Sequence, residues 1–123
     1  ELEQWTNVAS SGFDKLDYSL FQQCFENKQV EFYAGYYQSK MVSSAMLFID
    51  GDTTGIYHVV TLPEYRKKGF GSQLFSHCQN EATKTGAKHI IAQSTQQGLS
   101  AWEKIGMKQY GNFYLFCWNK PNQ

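Results

Sequence analysis

Cysteine is scarce. Cys24, Cys78 and Cys117 are the three in 123 residues, far apart and without a CxxC or other metal-ligand spacing. An odd, scattered set offers neither a disulfide framework nor a metal site. Three reduced thiols among apolar neighbours point to a reducing, cytoplasmic setting. Net charge is also lacking: 11 lysines and arginines balance 11 aspartates and glutamates. That excludes a surface built throughout for nucleic acid, while leaving room for a local basic patch. No apolar run approaches the ~20 residues of a membrane-spanning helix, and there is no repeat or low-complexity tract. What is present is apolar and aromatic bulk, 41% and 16% of the chain. That suffices for the core of a single domain over residues 1–123. A start at Glu1 rather than Met is what a piece of a longer protein would show.

Along the chain, Leu16, Leu20, Phe21, Cys24 and Phe25 recur at helical spacing. Asp14 and Asp17 are the candidate caps, and Asn27-Lys28 suits the end of the helix. Three strands follow: Val30 to Tyr37, Met41 to Ile49 and Gly55 to Leu62. They are separated by Gln38–Lys40 and by the turn signal Asp50-Gly51-Asp52. Gly71 to Thr85 reads as a helix with Leu74, Phe75, Cys78 and Ala82 on one stripe and Gly86 as its stop. "KHIIAQS" is a short strand, Leu99 to Ile105 one or two helical turns, and "MKQYGNFYLFCW" two strand pieces broken at Gly111-Asn112. The fold class is α/β with a mixed, mostly antiparallel sheet. Residues 55–93 form a βαβ crossover whose two strands are parallel.

The segment "TLPEYRKKGFGSQLF" joins the first strand of that crossover to its helix. Amides of a helix's first turn lack partners within the helix, and the peptide dipoles make that end positive, so an anion is stabilised there. Gly69 and Gly71 let a ligand approach the backbone, and Arg66, Lys67 and Lys68 add cations beside it. The ligand inferred from these residues is a phosphate or pyrophosphate. No GK[ST] follows, so this is not a Walker loop, and Leu74 occupies the third glycine position of a dinucleotide fingerprint.

"PEYRKKGFGSQLF" resembles the acetyl-CoA motif (R/Q)xxGx(G/A) of the GNAT superfamily of N-acetyltransferases, with Arg66, Gly69 and Gly71 at its fixed positions. "SAWEKIGMK" is similar to the family's late "YEKLGF" segment. The resemblance runs over residues ~30 to 118 and implies a GNAT-like fold. It implies that main-chain amides from Lys67 through Lys68, Gly69, Phe70 and Gly71 to Ser72 hold the CoA pyrophosphate. It also implies that Val59, Val60 and Thr61 splay from the neighbouring strand and bind the pantetheine arm through their main chain. Two departures accompany it. Residues 1–29 are short for the family's N-terminal elements, which help build the acceptor pocket. The family's frequent tyrosine acid falls on Trp102.

Indole N–H has no usable pKa, so Trp102 is either a core aromatic with Leu99 and Ile105 or a wall of the pantetheine channel. Ser100 is the nearby hydroxyl donor for the sulfur. His58, on the strand that leads into the loop, titrates near neutrality and is the candidate base for the amine proton. Alternation places Tyr57 on the opposite face. His77, His89 and Glu64 are expected at the surface, and Tyr110 and Tyr114 are expected to pack in the last strands. The expected activity is acetyl-CoA-dependent N-acetyltransfer to a small-molecule or peptide amine within a ternary complex, with no metal. The alternative is a non-catalytic acyl-CoA-binding module in a longer or tandem protein. The aromatic strand Val30 to Tyr37 and the segment Phe113 to Trp118 are the candidate partner surfaces, a second copy of the chain included.

Overall fold

A computed structural model describes residues 1–13, 18–96, 98–114, 116, 118, 120 and 121. Nine elements are described in chain order: α1 (Leu2–Ser10), α2 (Tyr18–Phe25), β1 (Val30–Tyr37), β2 (Lys40–Asp50), β3 (Thr53–Thr61), a 3-10 turn (Pro63–Tyr65), α3 (Phe70–Lys84), β4 (His89–Ala92) and α4 (Leu99–Lys104). The sheet order is β1-β2-β3-β4. β1–β2 and β2–β3 are antiparallel, and β3–β4 is parallel across α3. The meander and the crossover lie where the sequence places them, and α3 begins one residue early, at Phe70.

Helices cover both sheet faces. On one, Leu74, Phe75, Cys78 and Ala82 of α3 meet Ala45, Leu47 and Ile56. These four side chains recur at i, i+1, i+4 and i+8, so α3 buries a continuous stripe. Phe75 is fully buried and its ring stacks on Trp102 of α4 at 4.3 Å. On the other face, Trp5, Val8 and Ala9 of α1 and Phe21 of α2 pack with Met41. The Trp5 indole N–H donates to the carbonyls of Tyr33 (2.9 Å) and Ala45 (3.2 Å), tying α1 across β1 and β2.

Two expectations are corrected by the structure. The N-terminal region holds a helix the sequence reading did not identify, α1. Its nine residues are too few to be stable alone, and it forms because Trp5 and Val8 are buried against the sheet. The described residues of 107–118 form no strand, so Tyr110 and Tyr114 do not pack in one; they are 89% and 82% exposed. Cys78 is buried and Cys24 half-buried, whereas Asp14, Leu16, Asp17 and Cys117 lie outside the described residues.

Candidate active site

Parallel pairing of β3 with β4 begins at Thr53–His89 and ends at Ile56–Ala92. On its other side β3 continues to pair with β2 through Val60–Ser44 and Thr61–Ser43. Residues 57–61 therefore have one edge in the sheet and one facing an opening where β4 has stopped. Val59, Val60 and Thr61 all lie on this open stretch. Val59 packs against the α3-side core, and buried Val60 lies against Gly12 of the α1–α2 connection.

The opening coincides with a bulge. The β2–β3 register shifts between Ser44 and Met46, so His58 and Val59 stand opposite Ala45 alone. His58 adopts φ 54°, a left-handed conformation rare for a non-glycine residue. Ser44 Oγ donates to the His58 carbonyl at 2.9 Å and fixes the bulge. The extra residue corrects the expected alternation. Tyr57 pairs with Met46, which packs on the α1 side, and the His58 ring also faces that side. It lies among Trp5, Phe13 and Phe21, with ring centroids at 6.2, 5.3 and 5.3 Å. Its Nδ1 is buried without a hydrogen-bond partner among the described residues. Burial lowers its pKa below the ordinary histidine value, because the charged ring would lose hydration. His58 is thus a neutral imidazole with a free ring nitrogen at the bulge.

Beyond Thr61 the chain makes the 3-10 turn and enters α3. The Arg66 guanidinium is already engaged: Nε donates to the Thr61 carbonyl (2.8 Å) and Nη2 to that of Ser11 (3.3 Å). Its role here is to hold the loop against β3 and α1. Phe70 points its ring at Tyr37 (5.5 Å) and Tyr65 (6.1 Å), leaving its main chain for any ligand. Lys67 (φ 62°) and Gly69 (φ 88°) are both left-handed, which turns the chain sharply into the helix. Among the described residues no side chain caps α3, and its first backbone bond runs from Gln73 N–H to Gly69 C=O (3.0 Å). The amides of Phe70, Gly71 and Ser72 precede that bond. Among the described residues nothing lies within 4 Å of where a Gly69 Cβ would be, so the approach is clear of them. Lys67 and Lys68 are exposed at its rim.

Trp102 is half-buried on Phe75, at the edge of the α3-side core, as the packing alternative requires. Ser100 is on the exposed side of α4. His77, His89 and Glu64 are at the surface, as expected. Two other groups are perturbed on the α3 face. Burial pushes the Cys78 thiol up to about 12, and Tyr33 is raised by burial and by its hydrogen bond to Glu31. Neither is poised to act as an acid or nucleophile near neutrality. Sequence reasoning missed the aromatic surround of His58. The signal was present in Trp5 and Val8, spaced for a helix, but which sheet residue they would cover was not.

The GNAT acetyltransferase family model matches residues 1–107. The chain belongs to this family. Known structures carry the same fold. An acetyltransferase from Trypanosoma brucei superposes with a TM-score of 0.81 at 18% identity, covering 95% of this chain and 92% of its own. Glucosamine-6-phosphate N-acetyltransferase from Arabidopsis thaliana gives 0.79 at 14% identity, covering 97% and 95%. AAC(6')-Iy, solved with the bisubstrate analogue CoA-S-monomethyl-acetylneamine, gives 0.81 at 11% identity, covering 97% and 92%. No curated protein matches the sequence. At these identities the superpositions establish the fold, and family membership rests on the sequence model.

Proposed function

We propose that this GNAT protein is an acetyl-CoA-dependent N-acetyltransferase that acts on a primary amine by direct attack in a ternary complex. The observation that carries the reading is the coincidence at one point of the β3–β4 opening and the uncapped start of α3. The diphosphate of acetyl-CoA sits on the amides from Lys67 to Ser72, with Lys67 and Lys68 beside it. The pantetheine arm runs along Val59, Val60 and Thr61, adding a pseudo-strand to the free edge of β3. That places the thioester beside the bulge. The amine nitrogen bonds to the thioester carbonyl carbon, and a main-chain N–H facing the opening stabilises the oxyanion. The C–S bond then breaks. His58 takes the amine proton, directly or through water, and the departing thiolate is protonated by solvent while Ser100 donates a hydrogen bond to the sulfur. Proximity supplies much of the acceleration.

The solved relatives named above include one that acts on glucosamine-6-phosphate and one bound to an acetylneamine analogue, which supports an amine acceptor. The test is release of free CoA from acetyl-CoA over a panel of amino sugars, polyamines and peptides. Turnover with any of them supports the proposal. A protein that binds acetyl-CoA yet stays silent over the panel is instead the non-catalytic module, the reading favoured by Trp102 at the usual acid position. Absence of acetyl-CoA binding defeats both.

A further inference from the structure

The sheet face that carries the His58 ring is covered in part. Cross-strand partners share a face, so Phe48, Gly55 and Ile91 form one row across β2, β3 and β4 on the α1 side, next to the row of Phe32, Met46 and Tyr57. α1 and α2 pack on Phe32 and Met46. Phe48 and Ile91 lie outside that cluster, 36% and 51% exposed. Between them Gly55 has no side chain, and the Tyr57 ring takes the space. A Cβ at residue 55 would lie 2.6 Å from Tyr57 Oη and 2.7 Å from its Cζ. The half-buried phenol is therefore folded back along β3. Phe48, Tyr57 and Ile91 make an uncharged floor that begins one residue before His58.

His58 itself is ringed by Trp5, Phe13 and Phe21, none of them charged. The next row of the floor, outward from Gly55, brings ionisable side chains: Asp50 pairs with Thr53, and Thr53 with His89. Both Asp50 and His89 are exposed. We infer that this floor seats the body of the acceptor, and that the acceptor is a primary amine carried on an aromatic or aliphatic group. The inference rests on the reading above, in which His58 takes the amine proton.

Desolvation selects the class. A polycation would lose water from several ammonium groups here, and the face supplies one carboxylate, Asp50, to replace it. A sugar brings many hydroxyls, and the floor offers one in return, the Tyr57 phenol. An apolar body gains instead, because it covers Phe48 and Ile91 and has no polar groups to strand. The floor also adjoins the reacting centre, so a macromolecule seated on it would crowd the amine at His58.

The experiment is CoA release at saturating acetyl-CoA, comparing kcat/KM for phenethylamine and hexylamine with that for glucosamine and spermidine. The wild type is expected to prefer the first pair by at least about tenfold. Ile91→Ser and Phe48→Ser change exposed residues, and circular dichroism checks that each variant is folded. Each is expected to reduce the preference about tenfold, mainly through KM, and Ile91→Leu to keep it. Equal or better use of glucosamine or spermidine overturns the inference and leaves the acetyltransferase reading standing. So does a preference that neither serine variant moves. A change of mass in light scattering on Ile91→Ser, with the preference intact, overturns it by assigning the face to a second copy. Silence toward all four amines overturns it too, and the wider panel above then decides whether the acetyltransferase reading survives.

Discussion

Gly35→Ala is a clash with a single atom. Gly35 on β1 pairs with Ser43 on β2, and Ser43 pairs in turn with Thr61, the end of the strand that feeds the candidate site. A Cβ at residue 35 would lie 2.2 Å from Ser43 Oγ but 3.6 Å from Ser43 Cβ, an ordinary contact. Ser43 is 1% exposed, so its hydroxyl has little room to turn away, and its Oγ is unpartnered among the described residues. Overpacking of this kind costs about 1–3 kcal/mol. Ser43→Ala alone should be neutral or stabilising, since it removes a buried hydroxyl that makes no hydrogen bond among the described residues. With that oxygen gone, Gly35→Ala should fit, so the double variant should recover most of the loss. The two substitutions should couple by roughly 1–3 kcal/mol, the range found for residues in contact. Urea unfolding followed by tryptophan fluorescence measures all four corners of the cycle. A harmless Gly35→Ala, or a double variant no more stable than Gly35→Ala alone, would refute the packing described at this end of the sheet.

His58 gives the protein a pH signature. Burial holds its folded pKa below the ordinary 6.5, so the unfolded chain takes the proton first. Its contribution to stability is complete above that value and is lost as pH falls through the folded pKa, by up to about 1.4 kcal/mol per pH unit. His58→Asn should flatten this part of the stability profile, and parallel profiles for the two proteins would rule the burial out. The same substitution should remove the matching limb of the kcat–pH curve if His58 takes the amine proton. Gly69→Ala should cost about 1–2 kcal/mol through its left-handed backbone alone, since no atom of the described residues obstructs the added methyl. A melting temperature unchanged by this substitution would contradict that geometry. Phe75→Ala should cost about 3–5 kcal/mol by emptying the centre of the α3 face and unstacking Trp102. A loss near 1 kcal/mol would mean that α4 is not held there.

Much of this was legible in the sequence because it is local. The apolar stripe of α3, the turn at Asp50–Asp52 and the glycines at the start of α3 each act within a few residues, and each lies where expected. α1 was not legible, because its stability comes from Trp5 reaching carbonyls 28 and 40 residues away. The bulge at His58 was hidden for a related reason. It is a mismatch between β2 and β3, and no pattern within β3 alone announces it. Alternation therefore put Tyr57 and His58 on opposite faces, where the register puts them together. The segment after Met107 has the composition of strands, but composition does not say which edge a strand will join.

The central claim is that exposed amides at the start of α3 grip the diphosphate of acetyl-CoA. Isothermal titration of acetyl-CoA into the full chain and into Gly71→Val tests it most directly. Gly71 stands beside Thr61, with its Cβ position 3.3 Å from Thr61 Oγ1, so a valine there must project into the approach to the loop. The account predicts that the wild type binds and that the folded variant loses at least about tenfold in affinity, some 1.4 kcal/mol. A wild type that does not bind, or a folded variant that binds equally well, would contradict it.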